Sequence, residues 1–225
     1  MKLDNLSVTI NDKKLLDGIC AELTSDCECI IGANGAGKST LVNSIIEKTS
    51  YQGIISDLDN YSYAGSVDEM STDLSVNEIL EYSVTYSGKS DISLEEILEE
   101  FELKYFEHQP FNHLSGGERQ RVNLACSLYQ SSKVVIWDEP TNYLDPKHIR
   151  DLVRIVNKLK KYRKFLIVSH NLNFILAVSS KVLGLKCGQL IYHEFSEDCF
   201  ERKLFDEVFD MPFRYLIEEE QRMVF

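Results

Sequence analysis

The stretch from Gly32 to Thr40, GANGAGKST, limits what this chain can fold into more than any other. It fits G-x-x-x-x-G-K-[ST], with Gly32, Gly37, Lys38 and Ser39 in the fixed places. Cys29-Ile30-Ile31 before it is a short apolar run suited to a buried strand. Behind it, Leu41, Val42, Ile45 and Ile46 recur at helical spacing. A strand, a glycine-rich turn and a helix N-terminus form an anion cradle, because backbone N–H groups point inward and the helix dipole adds partial positive charge. Gly32, Asn34, Gly35, Ala36, Gly37, Lys38, Ser39 and Thr40 are therefore the expected nucleotide-binding positions. Lys38 is expected to reach the β- and γ-phosphates and the Ser39 hydroxyl to hold Mg²⁺.

The 225 residues suffice for one large α/β domain, or for a core with a small subdomain. No apolar run approaches the length of a membrane span, so no direct membrane insertion is expected. The N-terminus MKLDNLSVTI carries acid early and alternates, which reads as a strand and not a signal peptide. A formal charge of −12 repels phosphate backbones and argues against nucleic acid as the main partner. Cys20, Cys27, Cys29, Cys126, Cys187 and Cys199 form no C-x-x-C pair and read as scattered reduced thiols of a cytosolic protein.

Leu3 to Ile10 alternates as a strand, Asn11 to Lys14 reads as a polar turn, and Leu15 to Leu23 as a second strand paired antiparallel with the first. Short strands are expected at Ile54 to Ser56 and Tyr61 to Ala64. From about Val67 the texture turns helical. Ser75 and Glu78 stand in capping-box register before Ile79, Leu80 and Tyr82, and Ile97, Leu98 and Phe101 recur at helical spacing. Asp91 to Glu102 holds six acids and no base, which suits a solvated face or a surface for a basic partner. Ser115 and Glu118 make another capping box ahead of Val122, Ala125 and Leu128. Val134 to Trp137 and Phe165 to Val168 read as buried strands with a helix between them, and Val182 to Lys186 and Gln189 to Tyr192 as a final strand pair. Strands alternating with helices predict an α/β fold: a largely parallel sheet covered on both faces, with antiparallel N-terminal strands and an inserted helical subdomain. The expected division is a core over 1–66 and 128–193, a helical subdomain over 67–127, and a tail over 194–225 packed on the core. Periodicity does not place that tail.

Asp138 ends a hydrophobic strand, and its carboxylate is suited to hold the metal on the nucleotide. Glu139 follows, placed to orient or deprotonate an attacking water. His170 ends a later strand, at the edge where ligands sit in such sheets, and can hydrogen-bond a γ-phosphate. Ser115-Gly116-Gly117 is a second phosphate-seeking helix end. Either the chain binds two ligands separately, or this turn faces the nucleotide held by a second copy.

LSGGERQRV, the phosphate loop, WDEPTNYLD and the later Ser169-His170 together resemble the ATP-binding-cassette ATPases, in matching order from about Lys2 to Tyr192. The resemblance implies a P-loop NTPase core and a head-to-tail dimer. Two MgATP would be sandwiched between the phosphate loop of one copy and Ser115 to Gly117 of the other. It implies Asp138 as the metal-side carboxylate, Glu139 as general base, His170 as switch histidine, and Asp145 in the loop joining the two sites. Three positions depart from the family pattern: Ser66 replaces the usual Gln, with Asp68 and Glu69 nearby; Ile10 takes the place of the adenine-stacking aromatic; Cys126 replaces a frequent Arg. The tail, Val208 to Arg214 with Gln221 to Met223, is similar to that of ATPases from iron-siderophore and vitamin B12 importers. The function implied is the ATP-hydrolysing subunit of a transporter, working with separate integral permease subunits from the cytoplasmic face of the membrane. An exporter ATPase for antibiotics or peptides, or a soluble cassette ATPase, are the alternatives.

Overall fold

A computed structural model describes residues 1–67, 71–218 and 221–225. Six strands form the central sheet: β3 (Cys27–Ile31), β5 (Tyr61–Ala64), β6 (Val134–Asp138), β7 (Lys164–Val168), β8 (Lys181–Lys186) and β9 (Gln189–Phe195), in the order β5-β6-β7-β3-β8-β9. The pairings from β5 across to β8 are parallel, and β9 closes the edge antiparallel to β8. The strand that feeds the phosphate loop thus lies between β7 and β8.

Both faces of this sheet are covered, which explains why its strands read as continuous apolar runs. Side chains alternate across the pleat. Ile30, Ile136, Leu166 and Val168 point to one side, where Leu41, Val42 and Ile45 of α1 (Lys38–Ile45) meet them with Leu6 and Leu16. Cys29, Ile31, Val135, Trp137 and Ile167 point to the other, against α4 (Gly116–Tyr129), α5 (Pro146–Leu159) and α6 (Leu172–Val178). Trp137 is fully buried there. Its indole N–H donates to Ser127 Oγ at 2.8 Å, and its ring meets Phe165 edge to face.

β1 (Lys2–Ile10), β2 (Lys13–Glu22) and β4 (Gln52–Ser56) form a separate antiparallel sheet, ordered β2-β1-β4. Here the expected boundaries shift. Lys13 and Lys14 belong to β2, and the turn is Asn11-Asp12 alone, with φ of 50° and 61°. Two left-handed residues suit a two-residue hairpin, and Asn and Asp tolerate that conformation best among side-chain-bearing residues.

α2 (Val76–Ser83) and α3 (Leu94–Glu100) precede α4, and all three open on a complete capping box: Ser75 with Glu78, Ser93 with Glu96, Ser115 with Glu118. The acidic run around α3 is not simply solvated. Glu100 pairs with Arg154 at 2.5 Å and Lys158 at 3.6 Å, and Glu102 with Lys147 at 2.5 Å, so two of its acids meet the basic face of α5.

The tail folds as α7 (Ser196–Glu201), α8 (Leu204–Phe209) and a hairpin of β10 (Tyr215–Glu218) and β11 (Gln221–Val224). Asn173 of α6 fastens the hairpin by exchanging two hydrogen bonds with the Val224 backbone. Asp206 accepts from the Phe213 N–H and the Tyr215 hydroxyl. The Asn173 anchor joins residues far apart in sequence, which is why periodicity does not reveal it. Among the described residues no helix is long and apolar enough to cross a membrane.

Candidate functional site

The phosphate loop joins β3 to α1. Gly37 caps that helix in the left-handed region, φ 103°, and no side chain caps it, so the first-turn N–H groups stay available to a ligand. Gly35 has φ 80°, and a Cβ there would meet nothing within 4 Å, consistent with an open concave surface above it. Lys38 is buried. Its Nζ donates to Gly32 O at 2.7 Å and Ala33 O at 3.2 Å, so the ammonium is held inside the curl of its own loop. Burial lowers its affinity for the proton, while the Glu139 and Asp138 carboxylates oppose that shift.

Asp138 closes β6. Its Oδ1 is buried with no hydrogen-bond partner. Burial, with the neighbouring Glu139 charge adding, pushes this carboxyl up to about 6, and Lys38 pulls the other way. A carboxylate oxygen withheld from both water and protein donors fits a cation ligand. Ser39, Ser66, Gln120, Asp138, Glu139 and Tyr143 share a cavity of about 200 Å³. The donor set of a serine hydroxyl and a carboxylate is all oxygen, which suits Mg²⁺.

Glu139 sits at φ 53°, with its N–H donated to Val168 O at 2.8 Å. A non-glycine residue in that region is uncommon, and here the turn delivers its side chain to His170. Glu139 Oε2 accepts the His170 backbone N–H at 3.2 Å and lies 2.7 Å from His170 Nδ1. With Nδ1 engaged by a carboxylate, Nε2 is the ring nitrogen left for a ligand.

The Ser115 turn is organised differently. Ser115 Oγ accepts the Glu118 N–H at 3.4 Å, and the Glu118 carboxylate accepts the Ser115 N–H at 2.6 Å. Gly116 and Gly117 lie against the loop after Glu139: a Cβ on Gly117 would stand 2.8 Å from Tyr143 O, and one on Gly116 3.3 Å from the Tyr143 ring. The close backbone approach these glycines allow is therefore to their own chain. Neither they nor Ser115 line the cavity shared by Ser39 and Asp138.

Asp145 caps α5, accepting the His148 N–H at 2.9 Å, and that bond holds its carboxyl below the usual range. Ile10 ends β1 at the exposed hairpin tip, paired with Lys13. Asp68 and Glu69 lie outside the described residues. Burial pushes the Cys126 thiol up to about 12, so it stays a neutral packing group.

Other contributors escape a reading of motifs. Gln120 donates to Glu139 O at 3.3 Å and Pro140 O at 3.2 Å, and Asn123 to Gly65 O at 2.7 Å, so α4 grips two loops of the cavity. Their signal in the sequence is only that polar residues occupy inward positions of α4, whose whole middle is buried.

Residues 25–142 match the family model described as ABC transporter. The zinc import ATP-binding protein of Buchnera aphidicola (subspecies Baizongia pistaciae) is 32% identical over 193 residues, covering 82% of this chain and 80% of that protein. The petrobactin import ATP-binding protein of Bacillus anthracis is 30% identical, covering 80% and 75%. Among solved structures, that of an ATP-binding subunit of an ABC transporter superposes with a TM-score of 0.83 at 24% identity, covering 92% of this chain and 96% of the other.

Proposed function

From the premise that this chain belongs to the ABC transporter family, and is one of its ATP-binding, ATP-hydrolysing subunits, we propose that it works as a head-to-tail dimer around two MgATP and drives a separate permease, in import of an iron-siderophore or cobalamin-type substrate. The observation that carries the site assignment is the buried, unpartnered Asp138 oxygen in one cavity with Ser39 and Glu139.

In this reading the α1 N-terminus and Lys38 receive the β- and γ-phosphates, with Lys38 exchanging its two carbonyl acceptors for phosphate oxygens. Ser39 and Asp138 hold Mg²⁺, which when bound supplies charge to offset the phosphate oxygens. Glu139 accepts the proton of the attacking water, and its hydrogen bonds with His170 hold its carboxylate in place. Ser115 to Gly117 address the γ-phosphate of the partner's nucleotide. Closure is favourable because one triphosphate joins two helix ends, and hydrolysis removes that bridge. Asn123 and Gln120 give α4 a direct hold on the cavity loops, a route for coupling that does not pass through a long side chain at Ser66.

Import is supported by the likeness to the zinc and petrobactin import proteins, and an iron-siderophore or cobalamin-type substrate by the Val208 to Arg214 segment. Two experiments test the reading. Lys38→Ala is expected to weaken MgATP binding by about 100-fold or more, since a buried charge-assisted contact is lost; full turnover in that variant would mean the loop is misassigned. Reconstituted with its permease, the protein should hydrolyse ATP faster when a receptor loaded with a ferric chelate is added. Acceleration by a drug or peptide instead would point to export.

A further inference from the structure

Asp145 has a second partner besides the His148 backbone: the ring. His148 Nδ1 lies 2.9 Å from Asp145 Oδ1. An ionised carboxylate only accepts, so the neutral ring carries its proton on Nδ1. The other nitrogen, Nε2, is buried and has no hydrogen-bond partner. It faces Glu102 Oε2 at 3.6 Å, which is proximity and not a hydrogen bond. Glu102 follows α3, on the helical side of the molecule, and Lys147 and the Arg121 charge also face it. Asp151 lines the small crevice beside the ring with Arg121 and Leu144.

We propose that His148 is a positioning residue: on taking up a proton it joins Asp145 to Glu102, and so ties the interface loop to the helical subdomain. Without the added proton, a lone pair on Nε2 confronts an ionised oxygen and the ring holds Asp145 alone. With it, Nε2 donates a charge-assisted hydrogen bond to Glu102 and both carboxylates are held by one ring. The bridge needs a proton on both ring nitrogens, which acid favours. Lys147 competes for the Glu102 carboxylate, and the Arg121 charge also favours its ionised form, which keeps it ready to accept. Asp145 is thus fixed in the loop proposed to connect the two nucleotide sites. This inference rests on that reading of the loop, whereas the bridge itself does not.

The test has two arms. By NMR on the nucleotide-free protein at the acid end of the histidine range, about pH 5, the His148 Nε2–H signal should shift and exchange faster in Glu102→Gln than in the unaltered protein; an unmoved signal would overturn the bridge. In ATPase assays across roughly pH 5–8, where histidine side chains change charge, the loss of kcat in His148→Gln should be about two- to fivefold greater at the acid end, where both contacts of the ring are removed, than at the alkaline end, where only the Nδ1 contact to Asp145 is. KM for MgATP should not change. Superimposed kcat profiles would overturn the positioning role even if the NMR shift is found. Failure of the dimer reading would appear separately, as loss of the nucleotide-driven dimer, and would leave the NMR result standing.

Discussion

The two helix ends proposed to meet a triphosphate are built in opposite ways. The α1 end is under-satisfied: Gly37 offers no side-chain cap, Lys38 turns back on the loop's own carbonyls, and Asp138 beside it has a buried oxygen with no donor. The α4 end is self-satisfied, its first turn bonded by Ser115 and Glu118 and its glycines packed on Tyr143. The first region carries unmet polar groups, which a ligand relieves. The second must exchange a bond it already makes, and the Glu118 carboxylate brings negative charge to that end. An anion is therefore expected to engage α1 first and α4 only when a partner presents it.

The sharpest way to break this contrast is Asp138→Asn. Hydrolysis should fall by about 100-fold or more, because the metal-side carboxylate is gone. Stability of the nucleotide-free protein should move the other way. The folded carboxyl holds its proton up to about 6, against an ordinary 3.8. A raised carboxyl favours folding while protonated, so its contribution is lost as pH climbs through that interval. At pH 7 the charged Asp138 therefore costs the fold about 1–3 kcal/mol, which Asn removes. Urea titrations at pH 7 and pH 4 should show the gain at the first and little at the second. A destabilised variant at pH 7 would mean Asp138 is already satisfied.

At the other end, Gly117→Ala should cost about 1–3 kcal/mol, because its Cβ would press on Tyr143 O at 2.8 Å. Chemical denaturation without nucleotide reads this directly. An unchanged midpoint would mean that the turn and the Tyr143 loop are not held together. Ser115→Ala is milder. Loss of the cap should cost about 1 kcal/mol, and the affinity of the monomer for ATP should be unaltered, because the turn serves the nucleotide of the partner. Weaker ATP binding by the monomer would place Ser115 in its own site.

The same contrast explains what could be read from residues alone. The phosphate loop, the capping boxes at Ser75 and Ser115 and the Asp138-Glu139 pair are patterns in which neighbours along the chain make the feature, so spacing exposes them. Cys29-Ile30-Ile31 and Val134 to Trp137 read as buried strands because both sheet faces are covered. The packing of Gly117 on Tyr143, the grip of Gln120 on the Glu139 carbonyl and the Asp145–His148–Glu102 array join segments far apart in sequence. So do the Asn173 anchors of the tail hairpin. Nothing local marks such pairs. The alternation of β1 and β2 likewise fixes a hairpin without saying that it joins β4 in a sheet of its own.

The central claim is that a triphosphate is clasped between these unlike helix ends on two copies of the chain. Glu139→Gln keeps the shape of the residue beside His170 and removes the base, so bound ATP persists. Sedimentation or solution scattering of this variant at saturating MgATP tests the claim most directly. A compact dimer that reverts to monomer when nucleotide is withdrawn is the expected result, and a protein that stays monomeric at saturation would contradict it.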